Sequence, residues 1–108
     1  MMRGDLVTLA MQGDFGKPRP ALVIQANPFR EHTSVTVLPI TSTIADAPLL
    51  RVTVPPSTEN GLKEPSQIMV DKIMTVKRSK VGAAFGHIDA DTLVEVKRCL
   101  AVFLGITK

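Results

Sequence analysis

The sequence predicts a mainly β protein, a small antiparallel β-barrel followed by one C-terminal α-helix. Short apolar runs fill the first part of the chain, and some alternate polar and apolar residues with the period of a half-buried strand. Turn-forming residues separate the runs at short intervals, which favours antiparallel pairing over a parallel sheet. The last segment changes to a period of about 3.6 residues, which is typical of an amphipathic helix. A length of 108 residues fits one domain covering residues 1–108.

Each predicted strand is an apolar run that ends near a turn signal. The run at residues 21–25, for example, stops before Asn27-Pro28. Residues 11–18 and 57–65 are predicted loops, because Gly, Pro and polar residues dominate them. In chain order, the predicted strands are residues 6–10, 21–25, 34–38, 50–54 and 67–73, the last continuing to residue 76.

The final segment carries both end signals of a helix of about 15 residues. Asp89 is the expected N-cap, Asp91 adds negative charge to the first turn, and Gly105 stands where a C-terminal capping glycine belongs. We expect an apolar stripe on this helix to pack across the barrel as core. The stripe consists of Leu93, Val96, Leu100 and Phe103, with Leu104 beside them.

Composition excludes several classes of protein. A hydrophobic fraction of 44% and a charged fraction of 21% are those of a soluble globular protein, and no apolar run approaches the roughly 20 residues of a membrane span. The N-terminus lacks an apolar signal-peptide segment, and the single Cys99 fits a reducing cytoplasm. With two His and one Cys, no cluster has metal-ligand spacing, so we expect no metal and no other cofactor. A net charge of +3 permits a polyanionic partner without demanding one.

The most informative stretch is the pentapeptide Gly16-Lys17-Pro18-Arg19-Pro20, which runs directly into a buried strand. The two prolines restrict the backbone around Arg19, so little freedom is lost when its guanidinium binds. A guanidinium held at a strand entrance suits paired anionic oxygens such as those of phosphate. Taken alone, the pentapeptide is also explained by a solvated loop that begins an edge strand.

Other polar residues stand at the ends of predicted strands. They are the pair Thr41-Ser42, the loop containing Lys63, and Asp71. In a small barrel, strand ends that are distant in sequence can gather at one rim. A cation, hydroxyls and a carboxylate gathered there would suit RNA cleavage, in which the substrate's own 2′-hydroxyl is the nucleophile and the protein supplies proton transfer and charge stabilisation.

Each of these residues also has a purely structural interpretation. Thr41 and Ser42 could cap a helical turn that begins near Thr43. Asp71 could form a surface ion pair with Lys72, which would contribute under about 1 kcal/mol. The residue types alone leave these alternatives open.

Several ordered motifs resemble the MazF/PemK (Kid) toxins of type II toxin–antitoxin systems. The resemblance covers nearly the whole chain, and its strength lies in the order of motifs that are individually weak. The motifs are Arg3-Gly4-Asp5-Leu6-Val7, residues 16–24, Leu38-Pro39-Ile40-Thr41-Ser42, Gly61-Leu62 with Pro65-Ser66, residues 70–76 and residues 100–106.

The resemblance implies an SH3-like β-barrel of the CcdB/PemK type with a C-terminal helix, assembled as a homodimer. It implies a cytoplasmic, metal-independent and sequence-specific endoribonuclease that cleaves single-stranded RNA, often messenger RNA, by attack of the 2′-hydroxyl. It also implies a cognate antitoxin of the MazE/PemI type, whose acidic flexible segment covers the RNA groove.

The resemblance assigns roles to individual residues. The arginine of the family's Arg-Pro motif corresponds to Arg19, and the threonine of its Thr-Ser motif to Thr41. The aspartate that acts as base in the PemK branch corresponds to Asp71. That branch's catalytic arginine falls on Met69, and its first-loop histidine has no counterpart in residues 11–18, so the chain follows the MazF pattern more closely.

Four further residues are expected to bind RNA. Ser42 would add a hydrogen bond beside Thr41, and Lys17 and Lys63 would contact the RNA backbone. Gly16 would let the first loop approach the nucleic acid closely.

Two alternatives share the fold. A gyrase poison like CcdB uses a C-terminal Trp-Gly-Ile, whereas this chain has Leu104-Gly105-Ile106 in its tail and contains no tryptophan. The other alternative is an inactive binding module, against which the presence of Arg19 and Thr41 argues.

Overall fold

The computed structural model describes residues 1–10 and 17–106. In these ranges the chain forms seven strands, three short 3₁₀ turns and one α-helix. The predicted mainly β architecture with a C-terminal helix is confirmed. The elements are β1 (Asp5–Ala10), β2 (Pro18–Val23), β3 (Ser34–Thr41), β4 (Arg51–Val54), β5 (Ser66–Met69), β6 (Met74–Lys77), β7 (Val81–His87) and α1 (Ala90–Leu104).

β3 is the strand around which the antiparallel sheet is organised. One edge pairs with β2, which places Ala21 opposite Pro39. The other edge is shared, since residues 34–37 pair with β6 and residues 40–41 pair with β5. The resulting strand order is β4-β5-β3-β2-β1-β7, with β6 beside β3.

The sheet is open rather than a closed barrel. β4 and β7 end the strand order, and no pairing joins them in the described part of the chain. β4 has only four residues, and β7 pairs with β1 through a ladder that contains two register shifts. A closed barrel needs continuous, staggered ladders between all neighbouring strands, which these terminal strands do not supply.

Both faces of the sheet carry apolar cores. Successive strand residues point to opposite faces, so Leu6 and Val7 belong to different cores. On one face Leu6, Leu22 and Leu38 lie in register and form a core with Val96 of α1. The second core consists of Val7, Leu9, Ala21, Val23, Val35 and Val37. Two-sided burial explains why β1 and the end of β2 read as continuous apolar runs.

The predicted helix boundaries and caps are confirmed. The backbone N–H of Thr92 donates to the Asp89 carboxylate at 3.0 Å, and Gly105 ends the helix with φ 73°. The predicted stripe is wrong at its end, because Phe103 is 46% exposed and Leu104 56% exposed. Burial instead passes through Val96, Cys99 and Leu100 and stops there. No helix within residues 1–10 and 17–106 is both long and apolar enough to cross a membrane.

Three strand predictions differ from the structure. β2 begins at Pro18, so Arg19 lies within the strand, and β3 continues to Thr41. The strand predicted for residues 67–76 is interrupted by a 3₁₀ turn at Val70–Lys72.

β7 was not predicted from the sequence, because the strand contains two glycines and lacks alternation. Gly86 of this strand needs its small size, because an added Cβ would lie 2.3 Å from the Asn60 carbonyl oxygen.

Candidate functional site

A surface groove of about 880 Å³ lies where β2 begins and β3 ends. Apolar and polar residues both line it. The apolar lining is Leu9, Pro20, Pro39, Ile40, Leu62 and Met69, and the polar lining is Arg19, Thr41, Ser42, Thr43, Lys63, Glu64 and Ser66. The groove therefore combines a surface for uncharged ring systems with groups that bind anions.

Strand register brings Arg19 and Thr41 together. β2 and β3 run antiparallel with Ala21 opposite Pro39. Arg19 lies two residues before Ala21 and Thr41 lies two residues after Pro39, so both residues are at the same end of the strand pair. On the other edge of β2, Arg19 lies opposite Leu9, which also lines the groove. Residues separated by 22 positions in sequence thus reach one concave surface because they occupy neighbouring strand ends.

Arg19 is the second residue of β2 and is exposed. Pro20 follows it, and a residue that precedes proline is confined to extended backbone, which is the conformation of a strand. The prolines thus favour the strand geometry that presents the guanidinium at the groove. The structural alternative, a solvated loop that begins an edge strand, is wrong, because Arg19 lies within β2 and β2 pairs with both β1 and β3.

Thr41 ends β3 and organises the turn that follows. Its hydroxyl oxygen accepts a hydrogen bond from the Thr43 backbone N–H at 3.1 Å. No helix begins near Thr43 in the described chain, so the predicted alternative of a helix cap is wrong. A hydroxyl that accepts one hydrogen bond still has its own proton to donate, which leaves Thr41 able to bind a phosphate oxygen.

The hydroxyl segment, residues 41–45, is held by a buried glutamine that sequence analysis did not single out. Gln67 lies opposite Thr41 in the ladder between β3 and β5 and is 3% exposed. Its side-chain amide accepts from the Ala45 N–H and donates to the Ala45 carbonyl, both at 3.0 Å, and also donates to the Thr53 hydroxyl at 3.2 Å. The segment that carries Thr41 is therefore fixed at Ala45.

The charged loop, residues 57–64, is held by a different buried amide. The Asn60 side chain accepts hydrogen bonds from the Ser57 and Leu62 backbone N–H groups at 3.0 and 2.9 Å. It also donates to the Pro55 carbonyl at 3.0 Å. This network orients the end of the loop, where Leu62, Lys63 and Glu64 line the groove. The Asn60-Gly61 turn signal was visible in the sequence, but the burial of Asn60 was not.

The predicted site residues fall into two groups. Arg19, Thr41, Ser42 and Lys63 line the same groove, whereas Lys17 is exposed beside it and is not part of the lining. Gly16 lies outside the described residues.

Asp71 is not brought to the groove. It lies in the 3₁₀ turn at Val70–Lys72, and its carboxylate is 3.8 Å from the Lys72 ammonium, as in the predicted ion pair. Its Oδ1 atom is buried and has no hydrogen-bond donor among the residues that the structure describes. Met69, the residue that replaces the PemK-branch arginine, does line the groove.

The charged residues that line the groove give it a net positive charge, which suits an anionic ligand. Arg19 and Lys63 supply two positive charges, and Glu64 supplies one negative charge. In residues 1–10 and 17–106, no three His, Cys, Asp or Glu side chains are grouped so that they could hold a metal ion.

Comparison with known proteins identifies the family. The family model of the PemK-like, MazF-like toxins of type II toxin–antitoxin systems matches residues 2–104. The chain belongs to this family. Its predicted membership, on the ordered motifs, is confirmed.

Individual MazF proteins resemble this toxin over its whole length. The probable endoribonuclease MazF of Mycolicibacterium smegmatis is 45% identical over 107 residues, which are 98% of each chain. A MazE–MazF crystal structure from Deinococcus radiodurans matches with a TM-score of 0.81 and 26% identity, and covers 99% of this chain and 97% of the other. An endoribonuclease in complex with its cognate antitoxin, from a mycobacterial species, matches in fold with a TM-score of 0.83 at 23% identity and covers 100% and 98%.

These relatives decide between the alternatives raised by the sequence. The relative at 45% identity carries the name of an endoribonuclease, and the similar structures are MazF toxins. The prediction of an endoribonuclease toxin is therefore supported over a CcdB-like gyrase-binding toxin or an inactive binding module of the same fold.

Proposed function

We propose that this toxin cleaves single-stranded RNA in the groove, at a specific short sequence and without a metal ion. The observation that carries the proposal is the presence of Arg19 and Thr41 in the lining of one groove. The similarity to a probable endoribonuclease over 98% of the chain supports the same reaction. Residues 1–108 act in this proposal as one toxin domain.

The reaction needs no nucleophile from the protein. The 2′-oxygen of the substrate loses its proton to a base and forms a bond with the adjacent phosphorus. The bond from phosphorus to the 5′-oxygen breaks, and that oxygen takes up a proton. The products are a 2′,3′-cyclic phosphate and a 5′-hydroxyl.

Arg19 and Thr41 stabilise this reaction electrostatically. The Arg19 guanidinium donates two parallel hydrogen bonds to the non-bridging phosphate oxygens, where negative charge grows in the transition state. Arginine is a poor acid because its guanidinium holds its proton tightly, so charge stabilisation is its main role. The hydroxyls of Thr41 and Ser42 donate to a phosphate oxygen or orient the 2′-hydroxyl.

The remaining predicted residues bind RNA or transfer a proton. Lys63 contacts the RNA backbone from the charged loop, and Lys17 and Gly16 contact it from the first loop. Asp71 remains the predicted general base. Because Asp71 does not line the groove, Asp71→Asn tests its role separately: a loss of cleavage with normal folding supports it, and cleavage at the parental rate contradicts it.

We also propose three aspects of the toxin's biology. It forms a homodimer, because Val102, Phe103, Leu104 and Ile106 leave an apolar surface at the end of α1 that a second copy would cover. An acidic, flexible segment of a MazE/PemI-like antitoxin, which the family resemblance implies, binds across the cations of the groove; a MazE–MazF crystal structure is among the similar structures. The toxin acts in the cytoplasm, where messenger RNA is translated.

The proposal is tested by RNA cleavage in the presence of EDTA. We expect the purified toxin to cleave at a few-base motif, and sequencing of the fragment ends should show that motif together with cyclic phosphate termini. Arg19→Ala and Thr41→Val should fold normally and lower kcat on the order of 100-fold or more, the usual effect of removing a transition-state hydrogen-bond donor. Arg30→Ala is the matched control, since Arg30 is exposed but does not line the groove.

The outcomes separate the possible functions. Cleavage at the parental rate by both groove variants would refute the assignment of Arg19 and Thr41. Inhibition of DNA gyrase without RNA cleavage would instead identify a CcdB-like activity.

A further inference from the structure

We propose that Gln67 is a positioning residue for the nuclease reaction, because its buried side-chain amide holds Ala45 and thereby sets the position of the Thr41 and Ser42 hydroxyls. The inference rests on the proposed function of the groove. It concerns a residue that lies behind the hydroxyl segment and is absent from the groove lining.

The geometry places Gln67 at the end of β3. Gln67 and Thr41 are the last paired residues between β3 and β5, and beyond them the two backbones no longer pair. Beyond this pair, the Gln67 side chain forms the hydrogen bonds that the backbone no longer forms. Its oxygen accepts from the Ala45 N–H at 3.0 Å, and its nitrogen donates to the Ala45 carbonyl at the same distance.

The two hydrogen bonds between the Gln67 side chain and Ala45 resemble those of one further residue pair in the sheet. A side-chain amide has the same donor and acceptor as a peptide group, so it can satisfy both backbone groups of a residue that has left the ladder. Ala45 contributes only a methyl side chain, which is exposed and gives the segment no apolar anchor. Its attachment to the sheet at this point is therefore polar and depends on Gln67.

Two hydrogen-bond anchors converge on Thr41. One is local, from the Thr43 N–H to the Thr41 hydroxyl, and the other passes through Gln67, the cross-strand neighbour of Thr41. Among the described residues, removal of the second anchor leaves the exposed Thr43–Thr41 hydrogen bond to define the turn beyond the ladder. The Thr41 hydroxyl would then sample positions that do not match the scissile phosphate, and a misplacement of about 1 Å can cost on the order of 100-fold in rate.

Burial limits the Gln67 side-chain amide to a specific set of hydrogen-bond partners. It is 3% exposed, and its nitrogen also donates to Thr53 at 3.2 Å, so all of its polar atoms are bonded. Gln67→Met keeps the length and loses every hydrogen bond. Gln67→Glu keeps the acceptor for the Ala45 N–H but loses both donated hydrogen bonds. Thr53→Val is the matched control, because it removes one partner of the same amide and leaves the pair with Ala45.

The first readout is hydrogen exchange at the Ala45 amide, which does not depend on activity. In the parental toxin this N–H is protected by Gln67. We expect Gln67→Met to exchange at Ala45 at least tenfold faster while β3 amides keep their protection, and Thr53→Val to leave Ala45 unchanged. Unchanged protection in Gln67→Met would overturn the inference.

The second readout is a double-mutant cycle for RNA cleavage, measured where all variants are fully folded. We expect Gln67→Met to lower kcat about tenfold with KM within twofold, and Thr53→Val to have no effect. In the Thr41→Val/Ser42→Ala background, Gln67→Met should lower kcat less than twofold, because both hydroxyls that it positions are already gone. Equal losses in both backgrounds would show a general structural defect and overturn the inference.

Each failure has a distinct pattern. If Gln67→Met does not fold, Gln67→Leu, which also removes every hydrogen bond of the amide, takes its place in both experiments with the same expectations. If the parental toxin does not cleave RNA, the proposed function fails and the positioning role fails with it, even where Ala45 exchange shows that Gln67 holds the segment. Normal parental cleavage with an unaffected Gln67 variant refutes the positioning role alone.

Discussion

The hydroxyl segment and the charged loop line the same groove but are held in different ways. Gln67, which is 22 residues away from Ala45 in sequence, fixes the hydroxyl segment from outside. The charged loop fixes itself, since Asn60 bonds to Ser57, Leu62 and Pro55 within a few residues. The loop then rests on β7, where the His87 N–H donates to the Glu59 carbonyl at 2.9 Å.

The two regions are held differently because they place different kinds of side chain in the groove. The hydroxyl segment offers short side chains with almost no freedom of their own, so their accuracy depends on the backbone and on a buried clamp. The charged loop offers Lys63 and Glu64 on long, flexible side chains, for which backbone accuracy matters less. We therefore expect defects in the hydroxyl segment to affect kcat and defects in the charged loop to affect binding.

The largest effect on stability is expected where the charged loop touches β7. In Gly86→Ala the new Cβ would lie 2.3 Å from the Asn60 carbonyl oxygen and 2.8 Å from that of Glu59. These are backbone atoms held by the Asn60 network, so the loop and strand must separate. We expect the free energy of unfolding, measured by urea titration, to fall by about 3 kcal/mol.

Gly82→Ala is the control on the same strand. Its Cβ would approach the Thr8 hydroxyl at 2.3 Å, but that atom ends a side chain that can rotate. We expect a loss of less than about 1.5 kcal/mol. Equal losses of unfolding free energy in the two variants would mean that the contact between the charged loop and β7 is not rigid. The proposed difference between the charged loop and the hydroxyl segment would then be wrong.

Lys63→Ala tests the charged loop through RNA binding. Because Lys63 lines the groove as a cation, its removal should raise KM severalfold and leave kcat within twofold. The dependence of log KM on log salt concentration should also become shallower by about 0.7, the contribution of one phosphate contact to a single strand. Lys97→Ala, on the exposed face of α1, should change neither quantity. A fall in kcat with unchanged KM would place Lys63 in the reaction rather than in binding.

Much of the fold was readable from local sequence signals. Asp89 and Gly105 mark the ends of α1 correctly, because capping depends on a few neighbouring residues. Arg19 could be singled out because two prolines flank it, and Thr41 because it follows a predicted strand. The resemblance to a known family then predicted that they meet.

Features that depend on distant contacts were missed or misplaced. β7 contains Gly82 and Gly86 for close approach to Thr8 and Asn60, so its composition does not resemble a strand. Gln67 carries no local signal of its role, because its partner Ala45 is known only from the register of β3 with β5. Phe103 continues the helical period but lies beyond the part of α1 that is buried, a limit that periodicity does not contain.

Substitutions of Asp89 at the N-terminus of α1 change the stability of the protein at a site outside both the hydroxyl segment and the charged loop. Asp89→Ala removes the hydrogen bonds from Thr92 and should cost about 1 kcal/mol of stability at neutral pH, while cleavage stays at the parental rate. Asp89→Asn should retain most of the cap, since asparagine caps helices nearly as well as aspartate.

The two variants also differ from the parent in their pH dependence. Hydrogen bonds from the Thr92 hydroxyl and backbone N–H lower the pKa of Asp89 below its usual value. The stabilisation is therefore complete above the pKa of the unfolded chain, about 3.9, and is lost as pH falls through the lower pKa of the folded protein. In urea titrations from pH 7 to pH 2, the deficit of Asp89→Ala should shrink below about pH 4, and Asp89→Asn should gain relative to the parent. A deficit that is constant with pH would mean that the carboxylate charge contributes nothing to the cap, and altered cleavage in either variant would show that the groove is not independent of α1.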